Sequence, residues 1–227
     1  MLTLHRAEFL LPDPAAPTAP SFADGAVVVR GELVEAVGPY ADLAAAHPSA
    51  RVRDWGRALL APGLRNPCGQ RLLERDYHPD PREEIGVEPV VDGLVGCTDE
   101  ARYGASARRG LQRMLGFGVT AVAGPFARPA VRTAVARSGL VALPGPGPGP
   151  GPGASGAGEL GEGAGLLDPL AVLPLARAVH GRVAAGGRAD FVVFPVAAEE
   201  AQEGGVRPAA GGCLATVLAG RLVYRRR

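Results

Sequence analysis

The side chains most able to carry chemistry lie close together in the first half of the chain. Cys68 supplies a thiol, Gln70 an amide and His78 an imidazole. In a cysteine–histidine arrangement the imidazole would take the thiol proton, and Asp76 or Asp80 would orient the ring. These residues therefore form one candidate catalytic group. The alternative is structural, because a single cysteine is most often a small buried hydrophobic residue.

The same stretch offers a second candidate, a divalent-metal site. Asp76 and Asp80 bracket His78, and Glu83–Glu84 follow closely, so oxygen and nitrogen ligands lie within one segment. A solvated acidic loop is the competing interpretation, and it is the commoner one for a charge run of this kind.

The segments that would position these residues begin with β-structure. Alternating and apolar runs predict strands, including a hairpin over 26–37 that is introduced by a turn at Asp24-Gly25. Residues 61–70 contain too much glycine and proline for regular structure. The predicted elements before that point are strands over 2–11, 26–30, 33–37, 51–55 and 58–60 and a short helix over 39–47.

The middle of the chain alternates helical and strand patterns. Apolar residues at three- and four-residue steps predict a helix over 99–117 with Thr98 as its N-cap, and a buried strand over 119–123 follows. The alternation repeats as a helix over 129–138 and a strand over 140–143. This order is typical of an α/β unit with parallel strands.

The last third of the chain begins with a low-complexity segment. Consecutive Pro-Gly pairs fill 144–153, and glycine-rich sequence continues to 165, which predicts an extended linker over 144–165. The patterns that follow predict strands over 189–194, 213–219 and 222–224 and a helical turn over 197–202.

Composition excludes several classes of protein. Charged residues make up 21% of the 227 residues and the formal net charge is +1, which gives no electrostatic case for a nucleic-acid partner. No apolar run is long enough to span a bilayer, and no signal-peptide pattern follows Met1, so we expect a cytoplasmic protein without a membrane partner. The three cysteines lie outside any CxxC pair, which argues against a disulfide framework or a structural zinc site.

Motifs at the two ends of the chain resemble one known family. Residues 24–38 (DGAVVVRGELVEAVG) resemble the opening hairpin of amidohydrolase-superfamily enzymes, and 61–66 (APGLRN) is similar to their step into the first barrel strand. Residues 181–194 (GRVAAGGRADFVVF) resemble the family's signature strand, and 217–224 its closing strand pair. The subgroup resembled most is that of imidazolonepropionase-like proteins.

This resemblance implies an α/β or α+β fold in two parts. In the family, N- and C-terminal strands form a composite β-sandwich beside a (β/α)8 barrel, which here would draw on 1–60 and 180–227. A full barrel needs about 250 residues, whereas only roughly 100 separate Pro62 from Asp168. We therefore expect a truncated barrel remnant over 61–143, with the 144–165 linker spanning the gap.

The resemblance also implies a metal site, and the sequence departs from the family there. Family members carry His-x-His two residues after the position of Asn66, but Cys68 and Gln70 stand at those positions. An amide is a poor zinc ligand, and a lone thiol is not a site. Binuclear members bridge their metals with a carboxylated lysine, and all 24 basic residues here are arginine. Neither the family's divalent metal nor any other cofactor is expected.

The expected function is that of a divergent amidohydrolase-like protein, resembling hydrolases of carbon–nitrogen bonds other than peptide bonds. It would have lost metal-dependent catalysis and would act as a binding or interaction protein. The alternative is an active hydrolase of a cyclic amide or amidine, with Cys68, Gln70 and His78 at a site that uses non-standard ligands or a completing subunit. Truncation would expose apolar surface at 119–123 and 140–143, which would suit a homodimer or a protein partner.

Overall fold

A computed structural model describes residues 1–145, 167–196, 208 and 210–226. Within these ranges two short 3-10 helices, Pro81–Glu83 and Pro169–Ala171, accompany the strands and the α-helices. The strands are β1 (Leu2–Leu10), β2 (Phe22–Arg30), β3 (Leu33–Pro39), β4 (Arg51–Asp54), β5 (Ala58–Pro62), β6 (Leu64–Asn66), β7 (Val119–Ala123), β8 (Val141–Leu143), β9 (Phe191–Pro195), β10 (Ala215–Leu218) and β11 (Arg221–Arg225). The helices are α1 (Tyr40–Ala46), α2 (Gly69–Glu74), α3 (Glu100–Gly116), α4 (Pro129–Ser138) and α5 (Leu175–Ala178).

The first and last parts of the described chain fold into one mixed sheet. Its strand order is β11-β10-β9-β5-β1-β2-β3, and β4 pairs with β1 beside that path. Strand β5 joins the two parts, because it runs parallel to β1 on one side and antiparallel to β9 on the other. Strands from both ends of the described chain therefore belong to one sheet.

The large sheet curls so that strands far apart in its order share one core. Val27 and Val29 of β2 belong to the same buried cluster as Ala215 and Val217 of β10. The turn between β10 and β11 touches the β2–β3 turn, since a Cβ placed on Gly220 would lie 2.0 Å from the backbone oxygen of Gly31. The side of the sheet that carries these residues is therefore enclosed by the sheet itself.

A second, smaller sheet contains three parallel strands in the order β6-β7-β8. Helix α3 connects β6 to β7 and helix α4 connects β7 to β8, as the alternating pattern predicts. Helix α3 buries Leu111, Met114 and Leu115, and it packs beside α4, which buries Val131 and Val135. The mixed α/β class is therefore confirmed.

Three local predictions are wrong. Residues 61–70 were predicted to lack regular structure, but they hold the end of β5, all of β6 and the start of α2, because their prolines and Gly63 fall at element ends. The N-cap of α3 is Asp99 rather than Thr98, since the Asp99 carboxylate accepts a hydrogen bond from the Ala101 amide. Asp24-Gly25 is not a turn but lies inside β2, which pairs with β1 and β3 on its two sides.

The predicted linker lies mostly outside the described residues, which resume at 167. The helical turn predicted over 197–202 also lies outside them. Within the described residues, no helix combines the length and the apolar character needed to cross a membrane.

The expected apolar surface at 119–123 is a further error, because β7 is the central strand of the small sheet and all five of its residues are buried. Of 140–143, Leu140 is buried and only Ala142 is classed as exposed. A group of exposed, large apolar side chains lies instead in the loop before α3, at Ile85, Val87, Val90, Val91 and Val95.

A buried aromatic cluster stabilises the middle of the large sheet. His5 of β1 is 2% exposed and packs edge-on against Phe191 of β9, with ring centroids 4.9 Å apart. Its Nδ1 accepts a hydrogen bond from the indole nitrogen of Trp55 at 3.4 Å. Burial lowers the pKa of His5 to about 3, and the nearby positive charge of Arg53 acts in the same direction. His5 is therefore neutral in the folded protein.

We predict that this burial makes the protein sensitive to mild acid. Below about pH 6.5 the unfolded chain protonates His5 while the folded protein does not, so the free energy of unfolding falls by about 1.4 kcal/mol per pH unit from this residue. His5→Gln retains a hydrogen-bond acceptor without a titratable ring. Urea unfolding between pH 6.5 and 5 should give a shallower loss of stability for the variant, and parallel curves for the two proteins would contradict the prediction.

Candidate functional site

The carboxyl end of β6 is where the family resemblance places catalytic chemistry. Asn66, the last residue of β6, is fully buried. Its side-chain oxygen accepts a hydrogen bond from the Cys68 amide at 2.9 Å, and its side-chain nitrogen donates to the backbone oxygen of Leu167 at 3.4 Å. Asn66 therefore closes a turn that ends the strand before Cys68.

The chain then enters helix α2, and a close packing contact fixes where the helix begins. A Cβ on Gly69 would lie 2.2 Å from Cγ2 of Val122 and 2.6 Å from the backbone oxygen of Ala123. No side chain fits at that distance, so only glycine allows the first turn of α2 to rest on β7. Cys68 is the residue that precedes the helix.

This geometry separates the side chains of Cys68 and Gln70. On a strand, residues two apart point to the same face, whereas around a helix they point roughly 200° apart. The burial of the two side chains follows the helical pattern: Cys68 is half-buried and packs against the main apolar core, while Gln70 is exposed. The two side chains thus lie in different environments, one against the core and one exposed.

The environment of Cys68 is that of a protonated thiol. Burial is the main cause that raises the pKa of the thiol, and the carboxylate of Asp76 raises it further, while the nearby Arg71 opposes the shift. A catalytic cysteine needs the reverse, a pKa lowered by adjacent positive charge.

His78 is a core residue. It is fully buried, and its Nε2 lies 2.8 Å from the backbone oxygen of Leu72. A carbonyl can only accept, so Nε2 carries the proton. Its Nδ1 has no hydrogen-bond partner within the described ranges. Burial lowers the pKa of the ring, which keeps it neutral.

Cys68 and His78 lie in the same half of the fold but do not form a hydrogen bond with each other. The described residues contain no hydrogen bond between the Cys68 thiol and the His78 imidazole. The Nε2–H of His78 is donated to the backbone oxygen of Leu72 instead. The carboxylates that were candidates for orienting the His78 ring, those of Asp76 and Asp80, accept hydrogen bonds from loop backbone amides instead. Asp76 accepts from the Asp92 amide at 3.0 Å, and Asp80 accepts from the Arg82 amide at 3.0 Å.

Other acidic side chains of the candidate metal site also form hydrogen bonds within the loop. Glu83 accepts the hydroxyl proton of Tyr77 at 2.5 Å, and Asp80 caps the 3-10 helix that contains Glu83. Over the described part of the chain, no group of three or more His, Cys, Asp or Glu side chains is placed to hold a metal ion.

One half-buried and one buried carboxylate hold the C-terminal strands. Asp190, which directly precedes β9, accepts from the Ala219 amide at 2.7 Å and pairs with Arg188 at 3.1 Å. Asp168 accepts from the amides of Leu170 and Gly211 at 3.0 and 2.8 Å. No local sequence pattern marks Asp168, because its second partner, Gly211, lies far away along the chain.

A family model matches the second and third strands. Residues 25–50, which include most of β2, β3 and α1, match the imidazolonepropionase-like composite domain of bacteria. The resemblance noted from the sequence is therefore confirmed for this segment. No curated protein sequence matches the chain.

Solved structures of amidohydrolase-type enzymes match parts of the chain. Ochratoxinase from A. niger is 22% identical (TM-score 0.44), guanine deaminase from Bradyrhizobium japonicum 18% (0.45), and a zinc-bound adenosine deaminase from Xanthomonas campestris 22% (0.43). The matches cover 63%, 63% and 62% of this chain but 31%, 34% and 33% of the respective solved chains. The chain thus spans about a third of the length of these structures.

We predict that the His78 ring fits in its site only because Gly110 of α3 carries no side chain. A Cβ on Gly110 would lie 2.6 Å from Nε2 of His78, so Gly110→Ala should destabilise the protein by about 1–3 kcal/mol through overpacking. Gly104 on the same helix is the matched control, because its nearest neighbours would lie at 3.4 Å. Gly104→Ala should be neutral or stabilising by up to about 1 kcal/mol.

Urea denaturation of both variants measures this difference. Equal stability of the two alanine variants would show that the imidazole is free to move, and it would reopen the assignment of His78 to the core.

Proposed function

We propose that this chain is a divergent amidohydrolase-like protein that does not carry out metal-dependent hydrolysis and that acts by binding a partner. The observation that carries the proposal is the geometry at the end of β6. The strand ends at Asn66, and the positions that match His-x-His, Cys68 and Gln70, fall at the start of a helix rather than along a strand.

A metal pair requires two ligands of suitable chemistry that face one point. Here one ligand position holds a thiol whose pKa is raised by burial, and the other holds an exposed amide. An amide is a weak ligand for zinc, and a neutral thiol must first lose its proton. The lysine that bridges two metals in binuclear members has no counterpart, since all basic residues are arginine. The residues present do not fit the family's metal.

The division of the chain supports the same proposal. Residues 1–60 and 180–227 would form the composite β-sandwich domain, of which the curled eight-stranded sheet is the described part. Residues 61–143 would be the remnant of the (β/α)8 barrel, represented by three parallel strands and the helices between them. The linker over 144–165 would replace the missing strand–helix units.

The partner would be a second copy of this chain or another protein. The exposed apolar side chains between 85 and 95 support this part of the proposal, because an apolar patch on a protein surface commonly marks an interaction site. Val87 and Val95 are the most exposed of the group, at 69% and 61%.

The proposal predicts that the full chain, purified from cells supplied with zinc and iron, holds less than stoichiometric metal by elemental mass spectrometry. A purified zinc enzyme of the amidohydrolase type serves as the positive control for metal retention. One equivalent of zinc or iron, removed by a chelator together with a measurable amidase or deaminase activity, would contradict the proposal and favour the active-hydrolase alternative.

Light scattering on the same preparation tests the binding half of the proposal. A dimer that Val87→Asp/Val95→Asp converts to a monomer, while Val172→Asp does not, would assign the interaction to a second copy. Val172 is an exposed valine outside the segment. A monomer at every concentration would exclude a homodimer.

A further inference from the structure

A cavity of about 230 Å³ lies between strands β4 and β11, on the large sheet and away from the end of β6. Arg51 and Arg53 line it from β4, and Arg225 lines it from β11. Because successive strand residues alternate between faces, Arg51 and Arg53 present their side chains on the same side of β4. Trp55 and Leu222 supply apolar walls.

Among the described residues, the three guanidinium groups of this cavity lack acidic partners. No carboxylate within the described residues forms an ion pair with Arg51, Arg53 or Arg225. One carboxylate, that of Asp54, does line the cavity, but both of its oxygens are used elsewhere. One accepts from Arg6 at 3.0 Å and the other from the amide of Gly56 at 2.8 Å.

The wall behind the arginines is fixed. The indole of Trp55 stacks on His5 with ring centroids 6.0 Å apart, and it donates its N–H to the same ring. On the cavity side, the guanidinium carbon of Arg225 lies 5.9 Å from the centroid of the indole. Positive charge from both strands is thus gathered around one rigid aromatic side chain.

Clustered arginines without counter-charges attract an oxyanion. A guanidinium offers parallel N–H donors that match the oxygens of a phosphate group, and such charge-assisted hydrogen bonds are among the stronger ones in proteins. The cavity is smaller than the roughly 300 Å³ at which pockets for drug-sized ligands begin, so it suits a head group rather than a whole large ligand.

We propose that the cavity formed by Arg51, Arg53, Trp55 and Arg225 binds the phosphate group of a small molecule. The phosphate would lie among the three guanidinium groups, and any ester substituent would extend toward solvent past Leu222. This site is independent of the end of β6, so it stands whether or not the chain hydrolyses carbon–nitrogen bonds.

The test uses Trp55, which is the only tryptophan in the chain and therefore reports on this cavity alone. Inorganic phosphate and glycerol phosphate are titrated into the full chain at constant ionic strength, and the tryptophan fluorescence is followed. We expect a saturable change with at least one of them, and the two titrations distinguish free phosphate from an ester as its source. Sodium chloride alone should give no saturable change.

Matched charge-removal variants assign the effect to these arginines. Arg51→Gln/Arg53→Gln should weaken phosphate binding by about tenfold or more, the loss expected when charged hydrogen bonds are removed. Arg108→Gln/Arg137→Gln removes the same charge from helices α3 and α4 and should leave binding unchanged. Circular dichroism checks the fold, and Arg225→Gln provides a second variant if the double substitution fails to fold.

Three results would overturn the proposal. The first is equal binding by the two double variants. The second is no saturable response to either phosphate compound. The third is a response to single-stranded oligothymidine without a response to inorganic phosphate or glycerol phosphate, which would indicate a nucleic-acid surface instead.

Discussion

The contact between Gly69 and β7 determines how the chain leaves its small parallel sheet. The space beside Gly69 is too small for a Cβ, because Val122 and Ala123 of β7 occupy it. The first turn of α2 can therefore rest directly on the sheet, and the strand before it ends at Asn66. Cys68 and Gln70, the positions at which the family resemblance would place metal ligands, therefore lie at the start of a helix.

A second close contact holds the small sheet against the large one. Gly63 lies between β5 and β6, and a Cβ there would lie 2.1 Å from the hydroxyl oxygen of Thr120 in β7. Strand β5 can thus pair with β1 and β9 while the next residues enter the other sheet. The two glycines, six residues apart, let a short segment serve both sheets.

The strongly patterned elements could be predicted from the sequence. Strand β7 and helix α4 have their predicted bounds, because β7 is a continuous apolar run and α4 begins at Pro129 and ends before Gly139 in the left-handed region. Helix α2 was missed, because it depends on the contact of Gly69 with a strand some fifty residues later, which no local pattern reveals. The burial of His78 could not be predicted for the same reason, because it depends on the absence of a side chain at Gly110, far away along the chain. Residue type alone predicts a general base, whereas the burial of the ring and its contact with Leu72 depend on packing.

The zinc affinity of Cys68→His/Gln70→His tests most directly the proposal that geometry, and not only residue type, prevents metal binding at the end of β6. The double variant restores the family's ligand types at both positions. If the helical turn after Asn66 separates the two side chains, competition against a chromogenic chelator should show no more zinc binding than for the unsubstituted protein. Stoichiometric, tight zinc binding by the variant would contradict the account, since it would mean that the two positions still face a common point.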